Sequence, residues 1–359
     1  MKHFALLLAL YLCACHSSDP GGASWEAQNP LLPLPKPPFG TKIDFATLKF
    51  KVTPEKARLG RWLFFDVRLS SDGKVSCGSC HTPDFAFSQS MAHGFGVHRM
   101  PAPRKTLALV NVAWPLFEVY FWDGHSTHLA EQAKGPIQDP HELGNSLDKA
   151  VQAIAAVAGY RPAFHQAYGD DRVDIDRIAE SIACYEATRV SGNSPYDRFE
   201  AGAASALTDP QKKGRDLFFG KAGCSRCHLE WTLSDAQFHN LGVGWDPVKG
   251  VGADGKPSPA GFADLGRGGV TGRLADSGAF KTPSLRDVSK HAPYMHDGSI
   301  RTLRAVVEHY NQGGIQNPWL DPKMYPLHLT VDEVRQLVAF LEAFDGEGYG
   351  DVIPTSFPQ

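Results

Sequence analysis

Two pentapeptides, Cys77-Gly78-Ser79-Cys80-His81 and Cys224-Ser225-Arg226-Cys227-His228, set a pair of cysteines and an adjoining histidine at the same spacing twice in one chain. Cys-x-x-Cys-His is the attachment signature of c-type haem. Its two sulfurs add to the two vinyl groups, and the histidine beside the second cysteine then approaches the iron from the proximal side. Two such sites describe a redox protein with two covalent haem c groups, whose irons are ligated by His81 and His228. Two other readings use the same residues. A four-cysteine zinc site wants its pairs roughly 15 to 20 residues apart, whereas 143 residues separate Cys80 from Cys224. A thioredoxin-like dithiol has no need of a histidine after each pair.

The segments that must position these groups also recur. Gly60-Arg-Trp-Leu-Phe-Phe65 precedes the first motif and Gly214-Arg-Asp-Leu-Phe-Phe219 the second. Lys105-Thr106 with Leu109, Asn111 and Val112 is matched in register by Lys281-Thr282 with Leu285, Asp287 and Val288. Phe121-Trp-Asp-Gly124 is matched by Met295-His-Asp-Gly298. Four blocks in one order read as two copies of a single haem-binding module. Helical spacing of apolar residues runs through 146–168, 174–189, 303–310 and 331–344. Strand-like alternation is scarce, and glycine and proline crowd 242–278, which predicts a long irregular segment near the second motif. The expected fold is mainly α: two cytochrome c-like haem domains related by internal duplication, spanning 41–205 and 206–359 and meeting near 202–209.

The chain has 359 residues, 42% of them hydrophobic, with a formal charge of −3, enough to bury a large core and too little positive charge for nucleic acid. Residues 1–14 open on Lys2 and His3 and continue into an apolar run too short for a stable bilayer span, an export signal. The stretch Leu12-Cys13-Ala14-Cys15 resembles a bacterial lipoprotein signal, so that Cys15 would carry a lipid anchor in the periplasm; an ordinary cleaved signal peptide is the alternative. Residues 15–40, rich in proline, glycine and serine, read as a tether. Cys184, the cysteine that neither the signal nor the motifs claim, lies in a helical pattern and reads as a small buried apolar residue.

From Thr53 to Phe344 these blocks resemble the bacterial di-haem cytochrome c peroxidases and their MauG-like relatives, enzymes that react with hydrogen peroxide. The resemblance implies a peroxidatic first haem and a second that stores or relays electrons. It assigns Trp122 the place of the inter-haem tryptophan, and Gln132 and Glu142, ten and twenty residues further on, the places of the distal glutamine and glutamate. The readings of Trp122 as core and Glu142 as a first-turn helix carboxylate remain open. The distal ligand of the second haem iron falls on Tyr310, as in MauG-like enzymes, rather than on the methionine of electron-accepting peroxidases; His309 and His296 are the neighbouring alternatives. His93 and His98 lie in the stretch where a histidine often caps the first haem. A calcium would be held by an asparagine ahead of the threonine block and by carbonyls of 291–293, but Lys105 stands at the asparagine position. The resemblance thus implies an oxidase that draws electrons from a substrate, including tryptophan of a partner protein, through Trp122. Its alternatives are a peroxidase fed by a small redox protein and a non-catalytic electron-transfer cytochrome.

Overall fold

A computed structural model describes residues 24–114 and 119–359. The expected signal, residues 1–14, and Cys15 lie outside the described residues. Among the described residues the chain is mostly helical: α1 (Pro54–Phe65), α2 (Cys77–Cys80), α3 (Leu129–Gln138), α4 (Leu147–Ala155), α5 (Tyr160–Tyr168), α6 (Ile175–Ala187), α7 (Pro195–Glu200), α8 (Asp209–Phe219), α9 (Arg267–Thr271), α10 (Leu303–Asn311) and α11 (Val331–Glu342). The helices begin where the sequence offers caps. Thr53 accepts from the Lys56 amide ahead of Pro54, Asp174 from that of Arg177, and Thr330 with Glu333 forms a capping box. The helical pattern over 146–168 divides into α4 and α5.

Two crossings set the core. α1 packs on α6 around Leu59, Leu63, Phe64, Ile178, Ile182 and Tyr185. α8 packs on α11 around Phe218, Leu337, Phe340 and Phe344. Each crossing has a glycine at its tightest point. A Cβ on Gly60 would come within 1.7 Å of the Ser181 carbonyl oxygen, and one on Gly214 within 2.0 Å of that of Gln336. Cys184 is fully buried near the first crossing, with its sulfur 3.6 Å from the Lys51 carbonyl.

The scarce strand signal corresponds to one antiparallel pair, β1 (Phe238–Asn240) and β2 (Ala279–Lys281), in the register Phe238 with Lys281, His239 with Phe280 and Asn240 with Ala279. Two backbone hydrogen bonds then join the halves reciprocally. The Lys105 amide donates to the His296 carbonyl at 2.7 Å, and the Lys281 amide to the Trp122 carbonyl at 2.7 Å.

Contacts cross the boundaries expected from the sequence in three places. Tyr196 and Phe199 pack against the second core, and buried Arg286 forks onto Asp197 at 2.7 and 2.8 Å, so α7 packs with the second half although it precedes residue 206. Tyr349 joins the first core, Asp351 accepts from Arg61 and Tyr185, and the Gly159 amide reaches the Gln359 carbonyl at 2.7 Å. The end of the chain therefore returns to the first half. The described part of the segment expected as a tether, residues 24–40, is packed down as well. Trp25 stands edge-on to Trp62 at 5.1 Å, Asn29 and Arg58 exchange side-chain-to-carbonyl hydrogen bonds, and Gln28 bonds Ser356. Among the described residues no helix is long and apolar enough to cross a membrane.

Replacing Gly60 or Gly214 by alanine should force its helix pair apart and cost about 1–3 kcal/mol or more, the scale of overpacking a close-packed core. A denaturant midpoint unchanged from wild type would show that the crossing can yield.

Candidate active site

Both motifs fold into tight turns that aim their histidine. In the first, α2 is capped by the reciprocal pair Ser76 and Ser79, and the His81 amide donates to the Cys77 carbonyl at 2.9 Å. In the second the His228 amide donates to the Cys224 carbonyl at 3.0 Å. Each imidazole then uses Nδ1–H to hold a downstream carbonyl, His81 that of Phe87 at 2.8 Å and His228 that of Leu233 at 2.8 Å. That bond fixes the ring's orientation and leaves Nε2 free to ligate a metal. Burial pushes the His81 pKa down to about 4 against the pull of its backbone partners, and lowers that of His228. Both rings are thus neutral, as an iron ligand must be.

One cavity of about 850 Å³ runs between the halves, lined by Cys77, Cys80 and His81 and by Cys224, Cys227 and His228. All four thiols are free of disulfides. Burial raises the Cys80 and Cys224 thiols to about 11 and about 12, and Cys77 further. The donor set fits covalent haem: each half presents two cysteine thiols and one oriented imidazole to the same largely apolar space.

The other sequence-predicted residues converge on this cavity. Gln132, on α3, and Glu142, in the turn that follows α3, line it together with the first motif. That turn is fixed by the backbone: the Glu142 amide donates to the Asp139 carbonyl at 2.9 Å and its carbonyl accepts from Val97 at 2.8 Å. Burial, reinforced by Asp139, raises the Glu142 carboxyl to about 7. Trp122 lines the cavity, its indole Nε1–H donating to the Lys105 carbonyl at 2.7 Å and its ring edge-on to Phe280 at 6.5 Å. Tyr310, on α10, lines the cavity beside Cys224 and Cys227, and burial raises its phenol far above the ordinary value.

The alternatives sort by position. His309, one residue away, turns out of the cavity and bonds the Leu241 carbonyl at 3.1 Å. His296 lines the cavity but stacks on Phe280 at 3.6 Å. Neither His93 nor His98 is among the lining residues.

Sequence reasoning missed two cavity residues. Glu186 is buried with Oε2 unpartnered among the described residues, and burial raises it to about 8. Its signal was available: Ile178, Ile182 and Glu186 follow one another at four-residue spacing on the buried stripe of α6. His291, half-buried with its Nε2 buried and unpartnered among the described residues, carried no comparable signal, since it sits in irregular chain.

A profile of the di-haem cytochrome c peroxidase family matches residues 54–205. The methylamine utilization protein MauG of Methylorubrum extorquens is 40% identical over 304 residues, 84% of this chain and 82% of its own length. The cytochrome c551 peroxidase of Nitrosomonas europaea is 35% identical over 82% of both chains. The crystal structure of a MauG-like protein associated with microbial copper homeostasis superposes with a TM-score of 0.75 at 30% identity, covering 88% of this chain and 95% of that one.

Replacing Cys77 and Cys80 together by alanine should leave one covalent haem per chain after denaturation and acid–acetone extraction, and so should replacing Cys224 and Cys227. Retention of both haems would remove the altered pair from attachment.

Proposed function

The chain belongs to the di-haem cytochrome c peroxidase family, oxidoreductases that use hydrogen peroxide, and from that premise we propose that it is a MauG-like oxidase acting on a protein substrate. The observation that carries this reading is Tyr310 on the cavity wall beside the second motif, the residue that departs from a methionine-ligated electron store. The 40% identity to a MauG protein supports it.

In this reading His81 and His228 are the iron ligands, and the four motif cysteines hold two haem c groups. When bound, the haems supply irons that cleave peroxide and carry oxidising equivalents. Glu142 takes the proton from the near peroxide oxygen and returns it to the departing one, which requires the carboxylate and then the acid at one position. A carboxyl near pH 7 can do both, and Gln132, which does not ionise, orients the peroxide through its amide. Trp122 passes electrons across the junction, its ring fixed at both the indole nitrogen and the backbone carbonyl. The substrate we favour is an oxidisable side chain, such as tryptophan, on a partner protein. The matching blocks and paired glycine crossings support two copies of one module. Residues 1–14 and Cys15 support export to the periplasm and a lipid anchor.

Stoichiometric peroxide added to the diferric protein without reductant should give a rapid spectral change shared by both haems. If nothing reacts until one haem is reduced, the oxidase reading fails and a peroxidase fed by a small redox protein replaces it.

Because the Glu142 carboxyl is raised, it is mostly protonated below about pH 7 and cannot accept a proton there. The rate of reaction with peroxide should rise as pH increases through about 7 and then level off. Glu142→Gln should lower the plateau by roughly 10²- to 10⁴-fold, flatten the profile and leave both haems attached; an unchanged rate would remove Glu142 from the mechanism. Tyr310→Phe should alter the spectrum of one haem only, and an unaltered spectrum would show that another group ligates.

A further inference from the structure

The family resemblance implies a calcium between the halves, held by a side-chain oxygen at position 105 and by carbonyls of 291–293. This chain does not fit that ion. Calcium takes six to eight oxygen ligands at about 2.3–2.6 Å, typically with carboxylates among them. Position 105 instead holds a lysine with only 4% exposure, whose Nζ donates to the Gln89 carbonyl and, at 3.1 Å, to that of Met91. Among the described residues the ammonium makes no ion pair, and burial alone lowers its pKa, to about 8. A dication at the carbonyls of 291–293 would face the positive charge of Lys105, which already bears on His291.

We infer that the Lys105 ammonium is the resident cation of this junction, doing with hydrogen bonds to converging carbonyls what a bound divalent ion would do by coordination. The backbone of the same residue ties the arrangement together. Its amide donates to the His296 carbonyl and its carbonyl accepts the Trp122 indole proton, each at 2.7 Å. One residue therefore gathers the segment after the first motif, through Gln89 and Met91, and the two Asp-Gly turns, through Trp122 and His296. Its charge also bears on both His81 and His291. Lys105 is a positioning residue, acting through Trp122 and the 89–91 backbone rather than on peroxide.

The test uses the haem-loaded full chain. After desalting in EGTA it is assayed for calcium by atomic emission, and its melting midpoint and visible spectrum are followed with EGTA and with added calcium. The expected result is substoichiometric calcium and a midpoint and spectrum that neither reagent moves. Stoichiometric calcium in the protein as purified, with a midpoint or spectrum that EGTA shifts and calcium restores, would overturn the inference.

Lys105→Met removes the charge at similar length. It should lower the midpoint by about 4 °C or more, because the buried Gln89 carbonyl and the part-buried Met91 carbonyl lose their donor. It should also shift the reduction potential of a haem downward, since a nearby positive charge favours the reduced iron; a purely steric role would leave that potential in place. A variant matching wild type in both midpoint and potentials would equally overturn the inference, and if the variant does not fold the calcium assay decides alone.

Discussion

The junction depends on a reciprocal exchange in which Lys105 N–H binds the His296 carbonyl and Lys281 N–H binds the Trp122 carbonyl. Each bond is an ordinary backbone hydrogen bond, worth about 0.5–1.5 kcal/mol net. Their importance lies in geometry. Each ties the segment after one motif to the Asp-Gly turn of the other half, so neither half can rotate without breaking both. Trp122 is held through its carbonyl by one of these bonds and through its indole nitrogen by Lys105, and its position is a property of the interface rather than of either half.

That interface encloses the cavity, and burial within it sets the protonation of its groups. The same loss of solvent that keeps His81 neutral at about 4 raises Glu142 to about 7 and Glu186 to about 8 and lowers Lys105 to about 8. These directions follow one rule, that burial penalises whichever form is charged. The buried carboxyls, imidazole and ammonium of this cavity thus owe their shifts to one physical cause. The thiols of Cys77, Cys80 and Cys224 are raised by the same burial.

The ends of the chain reinforce the first half. Residues 24–40 and the last dozen or so residues meet through Gln28 with Thr355 and Ser356, and both lie against α1 and its surroundings, where Arg61 reaches the Gln28 carbonyl and the Asp351 carboxylate. The second half has no comparable belt among the described residues; its buried Arg286–Asp197 fork binds the connecting helix α7 to it instead.

The sequence alone determined the chemistry that spacing can encode. Two Cys-x-x-Cys-His motifs specify attachment because the sulfurs and the imidazole are neighbours along the chain, and the helices were legible because caps and apolar periodicity are local. Gln132, Glu142 and Trp122 were singled out by the family resemblance, and the structure brings all three to one cavity. Tertiary structure decided what depends on contacts between distant segments. It turned His309 outward and Tyr310 inward, returned residues near 349–359 to the first half, left Oε2 of Glu186 without a partner among the described residues, and buried the ammonium of Lys105 against backbone carbonyls. None of these is encoded by spacing, because burial and partnership are set by residues tens to hundreds of positions away, which only the folded chain brings within a few ångström.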